Sequence, residues 1–305
     1  MKLKHLTPRY LLALLLAMTM LLAACGSDGD DSSSDSGDSS TETTAVDSGD
    51  AADACAEPPT KTAGVLTVAT GEPVFPPWMG VGDDNFDVPE SGTGYESALV
   101  YALADELGID TVEWVRTGFD EAVAPGEKAY DFNIQQYSIT AERDEVVDFS
   151  DGYYQVEQAI IGAADSPAAS ATSIADLKGL RLGAAIGTTS LDYIDNVIEP
   201  DSPAQVYDDN AAAKSAFDAG QVDGIVFDLP TAYFITAVEI TDASIIGVLP
   251  KVGDNPEELG MLFEEGSPLV ACVNEALATL RSNGTIDALE DEWLNQGGSV
   301  PSLTN

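Results

Sequence analysis

The stretch from Gln135 to Ser150, Q-Q-Y-S-I-T-A-E-R-D-E-V-V-D-F-S, constrains this chain more than any other. Asp131-Phe132-Asn133-Ile134 leads into it with polar and apolar residues alternating, the period of a strand entering a sheet. Val146 to Ser150 reads as a short strand leaving it. Between them Ser138 and Thr140 offer hydroxyls, and Arg143 offers a planar cation whose fork matches a carboxylate. Loops held by a rigid sheet are where binding residues concentrate. From these residues alone two readings stay open. The loop is a carboxylate site, or it is a surface turn in which Arg143 pairs with Glu142 or Asp144.

The N-terminal segment is a targeting signal. Lys2, Lys4 and Arg9 precede an apolar run from Leu11 to Leu22 that is short for a membrane span. Leu22-Ala23-Ala24-Cys25 fits a lipobox, so residues 1–24 are expected to be a lipoprotein signal peptide and Cys25 the lipidated residue. An ordinary signal peptide with an incidental cysteine is the competing reading. Residues 25–60 are rich in Ser, Asp, Gly and Thr and predict a disordered acidic tether, because such a segment cannot bury enough apolar surface to offset its chain entropy. The ~245 residues beyond exceed one typical core and predict two lobes.

Composition excludes several functions. The formal net charge is -41, and it becomes -44 (9 basic against 53 acidic residues) once Lys2, Lys4 and Arg9 leave with the signal. A surface of that charge repels nucleic acid and anionic membranes. The single histidine, His5, lies in the signal. The mature chain therefore has no Ser-His-Asp or Cys-His nucleophile system and no His-ligated zinc. It also lacks the phosphate-loop and dinucleotide fingerprints, so no cofactor or metal is implied. Of the three cysteines, lipidation of Cys25 leaves an even pair outside the cytoplasm. That count predicts a Cys55–Cys272 disulfide, with two free thiols as the alternative.

Further segments lie in a telling order. Val65–Thr70 reads as a buried strand followed by the proline-rich loop Gly71–Trp78, and Gly94–Gly108 reads as a helix with a glycine stop. Thr111–Arg116 reads as a second strand. Gly187-Thr188-Thr189-Ser190 opens a helix, where Thr is also a common N-cap. Asp228 ends the strand Val222–Asp228 before a proline-started helix, and an N-cap role is its plain alternative. Ser244–Pro250 is expected to be the second crossing between lobes, and Leu259–Phe263 the return to the first.

S-I-T-x-E-R-x-x-x-V-D-F-S, together with D-L-K-G, G-T-T, V-D-G-x-x-x-D-x-P and the closing L-x-x-x-V-N-x-A-L, resembles the signature of the family 3 extracellular solute-binding proteins, the polar-amino-acid receptors of ABC importers. The likeness runs from about Gly64 to Trp293. It implies an α/β fold of the type II periplasmic-binding-protein kind, with two lobes, each a mainly parallel sheet flanked by helices, and two chain crossings. The expected divisions are residues 61–154 for the first part of lobe 1, 155–249 for lobe 2 and 250–305 for the rest of lobe 1.

The resemblance also implies a site. Arg143, with backbone N–H groups near Thr140, Thr188 and Thr189, would take the α-carboxylate of a free amino acid. Asp228 and Ser138 would take its ammonium group. Phe75 and Phe119 would hold the side chain, with plain core packing as the alternative for each. Glu72, Gln135, Gln136 and Tyr137 would line a polar or cationic side-chain pocket. The implied partners are a free amino acid, the importer's permease and, through Cys25, the cell membrane; the protein is expected to be a monomer. The rival from another class is an enzyme on the same fold, similar to cyclohexadienyl dehydratase, with Glu72 as its acid.

Overall fold

The computed structural model describes residues 55–82, 84–295 and 298–305. The signal peptide, Cys25 and most of the expected tether lie outside the described residues. Among the described residues no helix is long and apolar enough to cross a membrane.

The chain starts with β1 (Val65–Thr70), α1 (Tyr95–Glu106), β2 (Thr111–Arg116), α2 (Phe119–Val123), β3 (Phe132–Asn133) and β4 (Asp148–Phe149). β5 (Tyr154–Val156) leads to β6 (Gln158–Ala163), β7 (Leu182–Ala185), α3 (Thr189–Tyr193), β8 (Gln205–Tyr207) and α4 (Asn210–Asp218). Then come β9 (Gly224–Asp228), α5 (Leu229–Phe234), β10 (Ala243–Val248), β11 (Glu257–Leu259), β12 (Leu262–Phe263), α6 (Leu269–Ser282) and α7 (Thr285–Trp293).

Two five-stranded sheets result. The first has the order β2-β1-β3-β12-β4 and the second β10-β6-β9-β7-β8. A separate two-stranded ribbon, β11-β5, joins them. Each sheet is mixed rather than mainly parallel. β1 runs parallel to β2 and β3, whereas β12 is antiparallel to β3 and β4. β7 runs parallel to β8 and β9, whereas β6 is antiparallel to β9 and β10. The antiparallel members are the strands that follow each crossing, which enter a lobe from the ribbon rather than over a helix.

Period-2 alternation places the cores. In the second lobe Ile160 and Val226 face one apolar cluster, with Leu182, Ile194 and Ile246. Ala159, Ile161, Ile225 and Phe227 face the other, with Phe217 and Ile235. Both faces of that sheet are thus covered, as a helix-flanked sheet requires. In the first lobe Leu66, Val68, Phe132 and Phe263 pack with Leu99 and Leu103 of α1 and Val273 and Leu277 of α6. Each such side chain contributes about 1.5–3 kcal/mol on burial. Gly94, which precedes α1, has φ 92°, and a Cβ there would stand 2.7 Å from the backbone of Trp78 and Met79. Only glycine allows α1 to start against the Trp78 loop.

Two segments depart from expectation. Ser244–Pro250 is not the second crossing: β10 is the edge strand of the second sheet, and the chain crosses at Glu257–Leu259, paired with β5. Nor do the last residues stay with the first lobe. Val248 N–H donates to Pro301 O and Leu303 N–H to Val248 O, each at 2.9 Å, and Ile174 N–H donates to Thr304 O at 2.8 Å. Leu303 is buried in the second lobe's core. The unpaired edge of β10 supplies the donors and acceptors that hold this tail. Cys55 and Cys272 lie with their Cα atoms 5.4 Å apart and their sulfurs joined, which ties the segment ahead of β1 to α6.

Candidate functional site

A cleft of about 180 Å³ lies where the two lobes face each other at the carboxyl ends of β1, β3, β7 and β9. This is where an open α/β sheet presents its ligand loops. Its lining includes Glu72, Phe75, Phe119, Gln135, Gln136, Ser138, Arg143, Thr188, Thr189 and Asp228. Two expected contributors are not on the lining. Thr140 faces its own turn, where its hydroxyl accepts from Arg143 N–H at 3.2 Å and its carbonyl from Asp144 N–H at 2.9 Å. Tyr137 is fully buried behind Phe119.

Arg143 is buried and is not paired with Glu142 or Asp144. Its Nη1 donates to Ser138 O at 2.7 Å and its Nη2 to Gly187 O at 2.8 Å, so one guanidinium spans a first-lobe loop and a second-lobe loop. Its carbon lies 5.4 Å from the Phe119 ring centre, and Phe119 stacks on Tyr137 at 4.6 Å. The ring stack supports the cation from behind. Burial lowers the Arg143 pKa, opposed by Tyr137, Asp192, Glu257 and Asp228. Among the described residues no carboxylate forms an ion pair with it.

The loop that carries Arg143 is held by an unexpected group. Glu96, fully buried in the first turn of α1, accepts from Gln136 N–H at 2.8 Å and also from the Gln136 amide and the Tyr153 hydroxyl. Gln136 adopts φ 51° to make this contact. Burial raises the Glu96 carboxyl from 4.5 to about 7, against those three hydrogen bonds. The sequence reading placed Glu96 only as a helix residue.

Phe75 packs edge-on against Phe86 and Phe234 at 6.5 and 6.2 Å, and no ring contact joins it to Phe119 among the described residues. The two rings line the cleft from separate packing clusters. The loop that bears Phe75 and Glu72 is fixed by Arg116, which pairs with Asp87 at 2.9 Å, while Asp87 accepts from Val74 N–H at 2.9 Å.

In the second lobe Thr188 is the N-cap of α3, its hydroxyl accepting from Leu191 N–H. Asp228 precedes α5 but makes no capping bond; its Oδ1 accepts from Gln158 Nε2 at 2.8 Å, across the β6–β9 register. Burial first, and the neighbouring Glu257 second, raise the Asp228 carboxyl to about 8. Glu257 and Gln158, which sequence reasoning missed, are not on the cleft lining but are hydrogen-bonded to Ser138, Thr189 and Asp228, which are. Glu257 Oε1 accepts from Ser138 Oγ at 2.6 Å and from Thr189 Oγ1 at 2.7 Å. One of many acids in an exposed-looking P-E-E-L run carries no signal for such a role; Gln158, a polar residue opening an apolar strand, carries a weak one.

Two α/β lobes, a hinge ribbon and a polar cleft with cation and acid on opposite walls define a bilobal solute receptor. Residues 66–296 match the model of the bacterial extracellular solute-binding proteins, family 3, and the chain belongs to that family. It is 25% identical over 232 residues to "ABC transporter arginine-binding protein 1" of Escherichia coli K12, which covers 73% of this chain and 88% of that protein. It is 27% identical over 237 residues to the L-cystine-binding protein TcyJ of the same organism, covering 76% and 84%. Among solved structures, an ancestral arginine-binding protein bound to arginine superimposes with a TM-score of 0.65 at 28% identity, covering 76% of this chain and 99% of that one. These relatives are solute-binding proteins, and the chain is a binding protein, not an enzyme of the dehydratase kind.

Proposed function

We propose that the protein is the extracytoplasmic receptor of an amino-acid ABC importer and that its cleft takes a free, cationic α-amino acid. The observation that carries this reading is the placement of Arg143 and Asp228 on one cleft from different lobes. A carboxylate on Arg143 and an ammonium on Asp228 and Ser138 bridge the lobes, so the ligand favours the closed arrangement that a permease recognises. Thr188 and Thr189 add the N–H groups of a helix start. Glu72, Asp208 and Asp209 also line the cleft and leave it acidic, which suits a second positive charge on the ligand. The relatives named for arginine are consistent with that preference. Phe75, Phe119 and Gln136 bound the side-chain region.

The test is a thermal-shift screen of the twenty amino acids on protein stripped of bound ligand by partial unfolding. Arginine or lysine should raise the melting temperature most, since a ligand at 100 times its dissociation constant adds about 2.7 kcal/mol. A largest shift from an acidic amino acid would contradict the cationic preference, and no shift from any would contradict the function.

The receptor is a monomer tethered to the cell membrane by a lipid on Cys25 and stapled by Cys55–Cys272. Closing a loop of 217 residues contributes up to about 5 kcal/mol in the chain-entropy model. Intact-mass and non-reducing peptide mapping of the native membrane fraction should return a lipidated Cys25 N-terminus and a linked Cys55/Cys272 peptide. An unprocessed Met1 N-terminus, or separate thiol peptides, would refute the respective claim.

A further inference from the structure

Glu257 stands on β11, in the ribbon that belongs to neither lobe. The residues that follow it are locked to the Arg143 loop: Ile139 N–H donates to Glu258 O at 2.8 Å and Gly260 N–H to Tyr137 O at 2.9 Å. Its carboxylate takes hydroxyls from both lobes, Ser138 and Thr189. The buried Gln158 decides what else faces it. Gln158 Oε1 accepts from Ser190 Oγ at 2.6 Å, so its amide nitrogen must point the other way. That nitrogen lies 2.8 Å from Asp228 Oδ1 and 3.4 Å from Glu257 Oε1. Two carboxylates therefore converge on one neutral amide. Arg143, a cation that acts on both, makes its own hydrogen bonds to the Ser138 and Gly187 carbonyls and no ion pair with either acid. Two acids so placed, with a neutral amide rather than a cation between them, form a site for a positively charged group.

We propose that Glu257 is a second carboxylate of the ammonium end of the cleft, receiving the α-ammonium together with Asp228 and setting the receptor's selectivity for ligands with a free α-amino group. This rests on the reading of the cleft as an amino-acid site and deepens it. The competing role is purely structural: an acceptor that fastens Ser138 to Thr189 with no call on its charge. The two differ in what neutralising the side chain does. The Asp228 carboxyl is already raised, by burial and then by Glu257, with Glu96 adding and Arg143 opposing, while Tyr153 and Tyr154 also face it. An arriving ammonium should displace the proton that Asp228 holds near neutrality.

The test compares wild type, Glu257→Gln and Glu257→Ala by calorimetry at pH 7 in two buffers of different ionisation enthalpy. The probes are L-arginine, or the amino acid ranked first by the thermal screen, and its des-amino analogue. Glu257→Gln keeps a hydrogen-bond acceptor and loses the charge. It should narrow the preference for the amino acid over the analogue by about tenfold or more, and fewer protons should be released per ligand bound. An unchanged preference and unchanged proton release in Glu257→Gln, with Glu257→Ala weakening both probes alike, would leave only the fastening role and overturn the proposal. If wild type bound none of the twenty amino acids, the reading of the cleft would fail first, and this proposal with it.

Discussion

Arg143→Ala is expected to lower the affinity for the bound amino acid by about 2–5 kcal/mol, and Asp228→Ala by a similar amount. The reason is what truncation leaves behind. Inside a closed cleft the ligand's carboxylate cannot recover water when Arg143 goes, so the loss includes the cost of a buried unpaired charge. Arg143 also carries structure that a surface arginine would not: its fork is set by the Ser138 and Gly187 carbonyls and backed by Phe119. Arg143→Lys should therefore also lose affinity, since an ammonium cannot reproduce the fork or lie flat on the ring. Calorimetric titration with the amino acid found in the screen measures all three variants. Wild-type affinity in both Arg143→Ala and Asp228→Ala would rule out the clamp.

The second large effect is on stability against pH. Glu96 and Asp228 are both raised by burial, to about 7 and about 8. The folded protein thus holds protons on them that the unfolded chain has released. Stability from such groups is fully present below their unfolded values, 4.5 and 3.8, and is lost as pH rises through the folded ones. For Glu96, lifted from 4.5 to about 7, the loss is about 3 kcal/mol. Asp131, Asp192 and Glu290 are raised as well, each chiefly by burial. Asp176, Asp223 and Glu264 are lowered by hydrogen bonds, but they lie at the surface, where solvent screens them. The ligand-free protein should melt about 5–10 °C lower at pH 8.5 than at pH 5 from the Glu96 contribution alone. Glu96→Gln should flatten part of that slope, because the Gln136 amide can turn over to accept from the new amide nitrogen while Gln136 N–H and Tyr153 keep their acceptor. A melting temperature that holds steady or rises from pH 5 to 8.5 would show that these carboxyls are not buried as described.

Strong local signals carried far in this chain. β1, α1, β2 and β9 lie where Val65–Thr70, Gly94–Gly108, Thr111–Arg116 and Val222–Asp228 predict them, because apolar runs and a glycine stop are written locally. The loop from Gln135 to Arg143 showed hydroxyls and an arginine, which left a carboxylate site and a surface turn both open; the burial of Arg143 against two backbone carbonyls excludes the turn pairing. What failed was non-local. Ser244–Pro250 reads as a connection because Gly247 and Pro250 punctuate it, yet its neighbour β6 makes it an edge strand with a bulge between Ile245 and Gly247. β3, β4 and β12 are two residues each and exist only through pairing with one another and with β1. Leu303 sits in a short, mostly polar tail, and only the exposed edge of β10 gives it a place. Phe119 was open between ligand contact and packing. The structure stacks it on Tyr137 beneath Arg143, a pairing set by three separate elements.

The central claim is that one zwitterion bridges the lobes. A crystal structure of the mature protein grown with the amino acid from the screen tests it most directly. The account predicts that molecule in the interlobe cleft, its carboxylate within hydrogen-bond distance of the Arg143 guanidinium and its α-nitrogen within reach of Asp228 and Glu257. An amino acid seated elsewhere, or reversed so that its α-nitrogen lies at Arg143, would contradict it.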